Sequence, residues 1–100
     1  MFQKGPKLQE KHVEQALQKA VRQAGGHAYK FTSPGTNGMP DRLIILRGGK
    51  LGFVEVKAPG KKPRPLQARR LQQLQDMGFI ATWIDHPDQI QSVIDAIQTT

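Results

Sequence analysis

Residues 38–57 of the chain read GMPDRLIILRGGKLGFVEVK. Two apolar runs, at 43–46 and 51–56, flank the tetrapeptide Arg-Gly-Gly-Lys at 47–50. Paired glycines accept the positive φ that a tight turn requires, so the pattern predicts a β-hairpin. A hairpin brings the beginning of its first strand beside the end of its second strand. The polar side chains at those two positions are therefore expected to meet.

Three ionisable side chains lie at the open end of this predicted hairpin. Asp41 enters the first strand, whereas Glu55 and Lys57 end the second. Because side chains alternate along a strand, Glu55 and Lys57 share one face, roughly 7 Å apart. Two neighbouring carboxylates raise each other's pKa, and a divalent cation keeps both ionised. Oxygen ligands favour Mg²⁺ or Mn²⁺, and Lys57 could orient a water or stabilise charge on a phosphate.

The register of the hairpin determines whether Asp41 joins the other two side chains. A loop of Gly48-Gly49 alone would place Asp41 opposite Val56, on the wrong face of the sheet. An odd loop through residues 48–50, or an irregular turn at Asp41, would place it opposite Lys57 on the shared face. We expect one of these two arrangements, because the metal site requires the shared face.

The N-terminal part of the chain carries the pattern of an amphipathic helix over about 8–24, which Gly25-Gly26 ends. Its predicted apolar stripe consists of Val13, Leu17, Ala20, Val21 and Ala24. Glu14 lies at the edge of this stripe, and Glu10 lies one turn earlier. Taken alone, such positions favour a solvated charge.

Two further strands and two further helices are predicted. Residues 27–32 predict a strand, followed by a loop at 33–38. The apolar run 79–84 predicts another strand. It is expected to run parallel to the second hairpin strand, because a helix joins the two. The helices are predicted at 66–77, with Leu71, Leu74 and Met77 buried, and after residue 88, with Ile90, Val93, Ile94 and Ile97 buried. The order α-β-β-β-α-β-α predicts one α/β domain over 1–100, a mixed central sheet flanked by helices with the hairpin at its centre.

The charge pattern indicates a polyanionic partner. The chain of 100 residues has a formal net charge of +7 and a pI near 10.2, and nucleic acid is the default partner of so basic a domain. Residues 58–65 (APGKKPRP) predict a polar loop. No acid occurs between Val56 and Gln75, a stretch that contains Lys57, Lys61, Lys62, Arg64, Arg69 and Arg70. We interpret these cations as phosphate contacts; the alternative is a solvated basic surface.

Other classes of protein are disfavoured. The chain has no cysteine, which excludes disulfides and thiolate metal sites, and its three histidines lack ligand spacing. No apolar stretch is long enough to span a bilayer, and the N-terminal sequence MFQKGPKLQEKH lacks the apolar core of a signal peptide. We therefore expect a cytoplasmic protein.

Several motifs together resemble a known nuclease family. The order of GMPDR, FVEVK, the Pro/Gly/Lys-rich linker and Gln67 is similar to the PD-(D/E)XK nuclease superfamily, and more narrowly to its VRR-NUC (virus-type replication-repair nuclease) family. The resemblance implies a restriction-endonuclease-like αβββαβ core and a metal-dependent endonuclease of DNA repair, in a bacterial or phage-infected host cell.

The resemblance also implies roles for individual residues. Asp41 and Glu55 would hold Mg²⁺ or Mn²⁺ with the main-chain carbonyl of Val56, and Glu14 would face the metal, through a water or a second metal, with Glu10 as its rival. Lys57 would position the attacking water. Gln67, which lies one turn before Leu71 and so faces inward, would lie beside the lysine or the phosphate. The predicted DNA contacts are Lys61, Lys62, Arg64, Arg69 and Arg70.

Stand-alone members of the resembled family imply a homodimer that cuts branched DNA such as a Holliday junction and leaves a 5′-phosphate. Three alternatives stay open. The first is a non-catalytic basic module that binds nucleic acid and whose carboxylates form only salt bridges. The second is a nuclease that acts on RNA. The third is a small-molecule enzyme, which is disfavoured because no glycine-rich phosphate loop or nucleophile elbow is present.

Overall fold

The computed structural model describes residues 7–100. Its elements are α1 (Glu10–Gln23), β1 (His27–Lys30), β2 (Arg42–Leu46), β3 (Lys50–Val56), α2 (Pro65–Asp76), β4 (Ile80–Ile84) and α3 (Ile90–Gln98), with a 3₁₀ turn at Pro87–Gln89. The predicted order of elements and the α/β class are confirmed. The predictions of a single domain over 1–100 and of no signal peptide fall partly on residues 1–6, outside the described residues.

The four strands form one mixed sheet in the order β1-β2-β3-β4. The β1/β2 and β2/β3 pairs are antiparallel, whereas β3 and β4 are parallel, as predicted from the intervening helix. The predicted hairpin consists of β2 and β3, and it forms the centre of the sheet. The beginning of β2 and the end of β3 therefore lie between neighbours rather than at an exposed edge.

The hairpin loop has an odd number of residues, but the expected loop at 48–50 is wrong by one position. Leu46 pairs with Lys50, so the loop consists of residues 47–49. Gly48 and Gly49 have φ of 81° and 73°, so the two glycines alone supply the left-handed conformation and Lys50 is free to pair in β3. The register pairs Arg42 with Val54. Continued by one residue, it sets Asp41 opposite Glu55 rather than opposite Lys57.

The helices cover the two faces of the sheet unequally. On one face, α1 and α3 pack with the even-numbered residues of β2 and β3; we call this the first cluster, and its members include Val13, Leu17, Ile44, Val54 and Ile97. On the other face, α2 packs on the second cluster, which consists of Phe53, Leu71, Leu74 and Ala81. Glu55 and Lys57 have the parity of Phe53, so they lie on the face that α2 covers.

Some boundaries and burial predictions are wrong. Met77 is 68% exposed rather than buried, because α2 ends at Asp76 and Met77 follows its last turn. Phe79 precedes β4 and is 40% exposed, and β1 ends at Lys30 instead of Thr32. Within residues 7–100, no helix combines the length and the apolar character needed to cross a bilayer.

Candidate metal centre

Four elements converge at the open end of the hairpin. The beginning of β2 and the end of β3 contribute the strand residues, the first turns of α1 contribute acids from one face, and the first turn of α2 contributes Gln67 from the other. Pro40 is fully buried and restricts φ immediately before Asp41. Both helices direct their N-termini to this corner, and a helix N-terminus favours nearby negative charge.

Asp41 is held by the main chain on two sides. Its Oδ1 accepts a hydrogen bond from the Val56 amide at 3.2 Å, and its main-chain carbonyl accepts one from the Phe31 amide at 2.9 Å. Burial, and then the charge of Glu55, raise the pKa of Asp41 to about 7, with smaller contributions from Glu14 and Glu10 and against the lowering effect of the Val56 amide. The Asp41 carboxylate is thus close enough to three other acids to be affected by their charge.

Glu55 is the most buried ionisable side chain of the candidate site, at 4% exposure. Its Oε2 accepts a hydrogen bond from Gln67 Nε2 at 2.9 Å and lies 3.1 Å from Lys57 Nζ. Its Oε1 is buried and has no hydrogen-bond partner among the described residues. A buried carboxylate oxygen that has lost its water and gained no donor is costly, so this atom is suited to a cation.

Glu10 and Glu14 both lie beside Asp41, which leaves the choice between them open. One carboxylate oxygen from each of the three residues lies within 4.8 Å of the others. Glu14 is half-buried and Glu10 is exposed, and they occur one turn apart on the same side of α1. Glu14 Oε2 also lies 3.3 Å from Arg42 Nη2.

The donor set fits a hard divalent cation. Carboxylate oxygens from Asp41, Glu14 and Glu10 gather within 4.8 Å, and Glu55, outside that group, is near enough for its charge to raise the pKa of Asp41. Oxygen donors of this kind suit Mg²⁺ or Mn²⁺. The orphaned Oε1 of Glu55 is the observation that favours occupation by an ion. The main chain of Val56 takes part through its amide, which binds Asp41. The role of the Val56 carbonyl as a ligand stays a prediction.

Lys57 and Gln67 both lie beside Glu55. Both side chains meet the same Oε2 of that carboxylate. Sequence reasoning missed Arg42, which reaches the acids of α1. The signal was its position directly after Asp41, where alternation places it on the opposite face of β2, toward α1.

The residues predicted to contact DNA differ in their solvent exposure and in whether they already bind another part of the protein. Lys61, Lys62, Arg64 and Arg69 are exposed on the linker and the early part of α2. Arg70 is half-buried: its Nε donates to the Asn37 carbonyl at 2.8 Å, so its guanidinium fastens the 33–38 loop to α2.

Comparison with individual proteins and with solved structures gives matches that agree with one another. No protein-family model matches the sequence. A protein named "Putative nuclease p44", from Acyrthosiphon pisum secondary endosymbiont phage 1, is 44% identical over 90 residues, which span 90% of this chain and 96% of that protein. A solved structure described as a VRR-NUC domain has a TM-score of 0.79 and 29% identity, over 86% of this chain and 94% of that chain. A second, described as a VRR-NUC domain protein, has a TM-score of 0.67 and 23% identity, over 94% and 91%, and shows the same fold.

The mixed sheet, its flanking helices and the acidic corner at the hairpin's open end define the class as a restriction-endonuclease-like α/β fold. Within that class, the chain belongs to the VRR-NUC family. The resemblance noted from GMPDR, FVEVK and Gln67 is thereby confirmed.

Proposed function

We propose that the protein is a DNA endonuclease that requires Mg²⁺ or Mn²⁺ and hydrolyses phosphodiester bonds. The observation that carries the proposal is the Glu55 carboxylate, whose Oε1 is buried without a partner while Oε2 contacts both Lys57 and Gln67. A carboxylate that served only as a salt bridge would not need a second, unpaired oxygen at 4% exposure. Membership of a nuclease family, and a relative named as a nuclease, support the same activity.

Asp41, Glu55 and the main-chain carbonyl of Val56 would hold the cation, with Glu14 or Glu10 completing the acidic corner. When bound, the cation would supply Lewis-acid neutralisation of the charge that builds on the phosphate. Gln67 keeps Glu55 oriented by donating to its Oε2.

Lys57 would act on the water. Its side chain is 17% exposed, and its Nζ lies 3.1 Å from Glu55 Oε2. It would donate to the attacking water and stabilise the developing negative charge. In-line attack of the water forms the new P–O bond as the P–O3′ bond breaks. The water gives up a proton to solvent and the leaving O3′ takes one up, so the products carry a 5′-phosphate and a 3′-hydroxyl.

The substrate that we propose is branched DNA, including four-way junctions, cut by a homodimer. The exposed cations of the linker and α2 would contact the phosphate backbone without reading bases. Two copies related by a two-fold axis would suit two symmetric cuts.

The test is a cleavage assay on a four-way junction and on linear duplexes of the same arm sequences, with Mg²⁺, Mn²⁺, Ca²⁺ or EDTA. Wild-type protein is compared with Glu55→Gln, Lys57→Ala and Lys19→Ala; the last removes an exposed lysine of α1 and serves as the control. We expect cutting with Mg²⁺ or Mn²⁺ only. Lys57→Ala should lose roughly 100-fold or more in rate, since a preorganised donor that stabilises developing charge contributes about that much. Lys19→Ala should cut normally.

Binding to the junction should persist in Lys57→Ala, as measured by fluorescence anisotropy. Binding without cutting under any of these metals would favour the non-catalytic module instead. Equal rates on the junction and on the linear duplexes would indicate a DNA nuclease without preference for branched DNA. A higher rate on a matched RNA would indicate that RNA is the preferred substrate. Sedimentation of the protein with and without junction checks the homodimer.

A further inference from the structure

Arg42 joins three elements at the back of the acidic corner. Its Nη1 donates to the Ala28 carbonyl of β1 at 3.4 Å, and its Nη2 donates to Glu14 Oε2 of α1 at 3.3 Å. Its side chain is only 13% exposed. The guanidinium is therefore held between β1, β2 and α1, directly after Asp41 in the chain.

A neighbouring group must fix the orientation of the Glu14 carboxylate if this carboxylate is to face a cation. The carboxylate lies within 4.8 Å of those of Glu10 and Asp41, and like charges at this separation repel. A glutamate on a helix surface can change rotamer and move its charge into water. Among the described residues, Arg42 is the cation that pairs with Glu14 and opposes that movement.

We propose that Arg42 is a positioning residue, which holds the Glu14 carboxylate beside Asp41 through Oε2 and leaves the other Glu14 oxygen available to a divalent cation. The inference rests on the proposed function, because it assumes that Mn²⁺ or Mg²⁺ binds at this corner. Arginine suits the task because its planar fork places two donors in fixed directions, one for Ala28 and one for Glu14. Lysine has a single ammonium and cannot reproduce that geometry.

Positioning and plain electrostatics predict opposite results when Arg42 is replaced. A positive charge beside a cation site weakens cation binding, so its removal alone would strengthen binding of Mn²⁺. Loss of a group that orients a ligand weakens binding, typically about 10-fold or more. Weaker Mn²⁺ binding in the variant therefore indicates that Arg42 orients a ligand, whereas stronger binding indicates that its charge only repels the cation. The dependence of the change on Glu14 then identifies the ligand that Arg42 holds.

The experiment is a Mn²⁺ titration without DNA, by calorimetry and by the paramagnetic resonance signal of free Mn²⁺. The proteins are wild type, Arg42→Gln, Glu14→Gln, the double variant, and Arg22→Gln as the control, which removes an exposed arginine farther along α1. We expect Arg42→Gln to weaken Mn²⁺ binding about 10-fold in the wild-type background and less than about 2-fold in the Glu14→Gln background. Arg22→Gln should leave the affinity unchanged.

Arg42→Lys keeps the charge and serves as the second variant if Arg42→Gln does not fold, which circular dichroism without metal reveals. It should weaken Mn²⁺ binding only when Glu14 is present. Stronger binding in Arg42→Gln, unchanged binding, or equal losses with and without Glu14 would overturn the positioning role while leaving the nuclease proposal intact. A wild-type protein that binds no Mn²⁺ would overturn both.

Discussion

Gln67 Nε2 donates a 2.9 Å hydrogen bond to Glu55 Oε2, which joins the first turn of α2 to the end of β3. The other end of the same amide is also engaged, because Gln67 Oε1 accepts from the Arg64 main-chain N–H at 2.9 Å. Gln67 is 8% exposed, so water does not replace these partners readily. One side chain thus orients a buried carboxylate and fastens the beginning of a helix.

Substitution of Gln67 should destabilise the protein in a graded way. Gln67→Ala removes both hydrogen bonds and should cost about 1–3 kcal/mol in the free energy of unfolding. Gln67→Glu places a second carboxylate against Glu55 in a buried position and should cost more. Urea unfolding at pH 8 with EDTA measures both, and Gln15→Ala, an exposed glutamine of α1, is the control. A Gln67→Glu variant as stable as Gln67→Ala would contradict this.

The raised pKa of Asp41 predicts an effect of pH on stability in the absence of metal. Its folded-state pKa of about 7 lies above the unfolded value of about 3.9, so the folded protein binds more protons between these pH values. Stability should therefore fall as pH rises from about 4 to 7. Asp41→Asn keeps an acceptor for the Val56 amide and lacks the carboxylate. At pH 8 its free energy of unfolding should exceed that of wild type by on the order of 1 kcal/mol, after allowance for solvent screening. At pH 4 the two free energies should differ little.

The comparison is made by urea unfolding in EDTA at pH 4, 6 and 8. Asp95→Asn, on α3 and exposed, is the matched control and should follow wild type. An advantage of Asp41→Asn that grew toward low pH would have the wrong sign and would contradict the assignment.

The contact between Gly52 and Ile97 predicts a packing conflict in the first cluster. A Cβ at position 52 would lie 2.5 Å from Ile97 Cδ1 and 2.7 Å from its Cγ1, and Ile97 is fully buried. Gly52→Ala should destabilise the protein by about 1–3 kcal/mol through this overpacking. In an Ile97→Ala background the same change should cost much less, because both clashing atoms are absent. Additive losses in thermal or urea unfolding would show that the two residues do not conflict.

The exposed lysines of the linker predict the salt dependence of DNA binding. In a Glu55→Gln background, Lys61→Ala with Lys62→Ala should lower the slope of log affinity against log salt by about 2 for duplex DNA. The matched control removes Lys19 and Arg22, two exposed cations of α1. Anisotropy titrations at several salt concentrations give the slopes. Equal changes in both double variants would mean that binding depends on total charge and not on the linker.

The sequence predicted those features that depend on the local pattern of one helix or one hairpin. Two apolar runs and the paired glycines between them predicted the hairpin. The spacing of apolar residues predicted the buried positions of α3 and, in α1, those of Val13, Leu17 and Val21. The register was predicted only as odd, because two different three-residue loops satisfy the same parity. The loop that forms is 47–49, in which Gly48 and Gly49 are the second and third residues and both take positive φ.

The contacts of the site could be predicted less well, because they join residues far apart in sequence. Arg42 and Glu14 are 28 residues apart, and their ion pair depends on how α1 packs across the sheet. The contact of Gln67 with Glu55 depends in the same way on the placement of α2. Motif resemblance indicated candidate residues for the corner, whereas their individual hydrogen bonds required the tertiary structure.

The acidic corner draws its side chains from both faces of the sheet, so binding of an ion there would depend on both helix layers being in place. α1 belongs to the first cluster and α2 packs on the second. Separation of either helix from the sheet would therefore move the oxygen donors apart. An ion that binds only the assembled corner would, by mass action, resist the separation of both layers. Calcium, which would occupy the corner without supporting cutting, should therefore raise the melting temperature and slow amide exchange in α1 and α2 together, although these helices lie on opposite sides of the sheet.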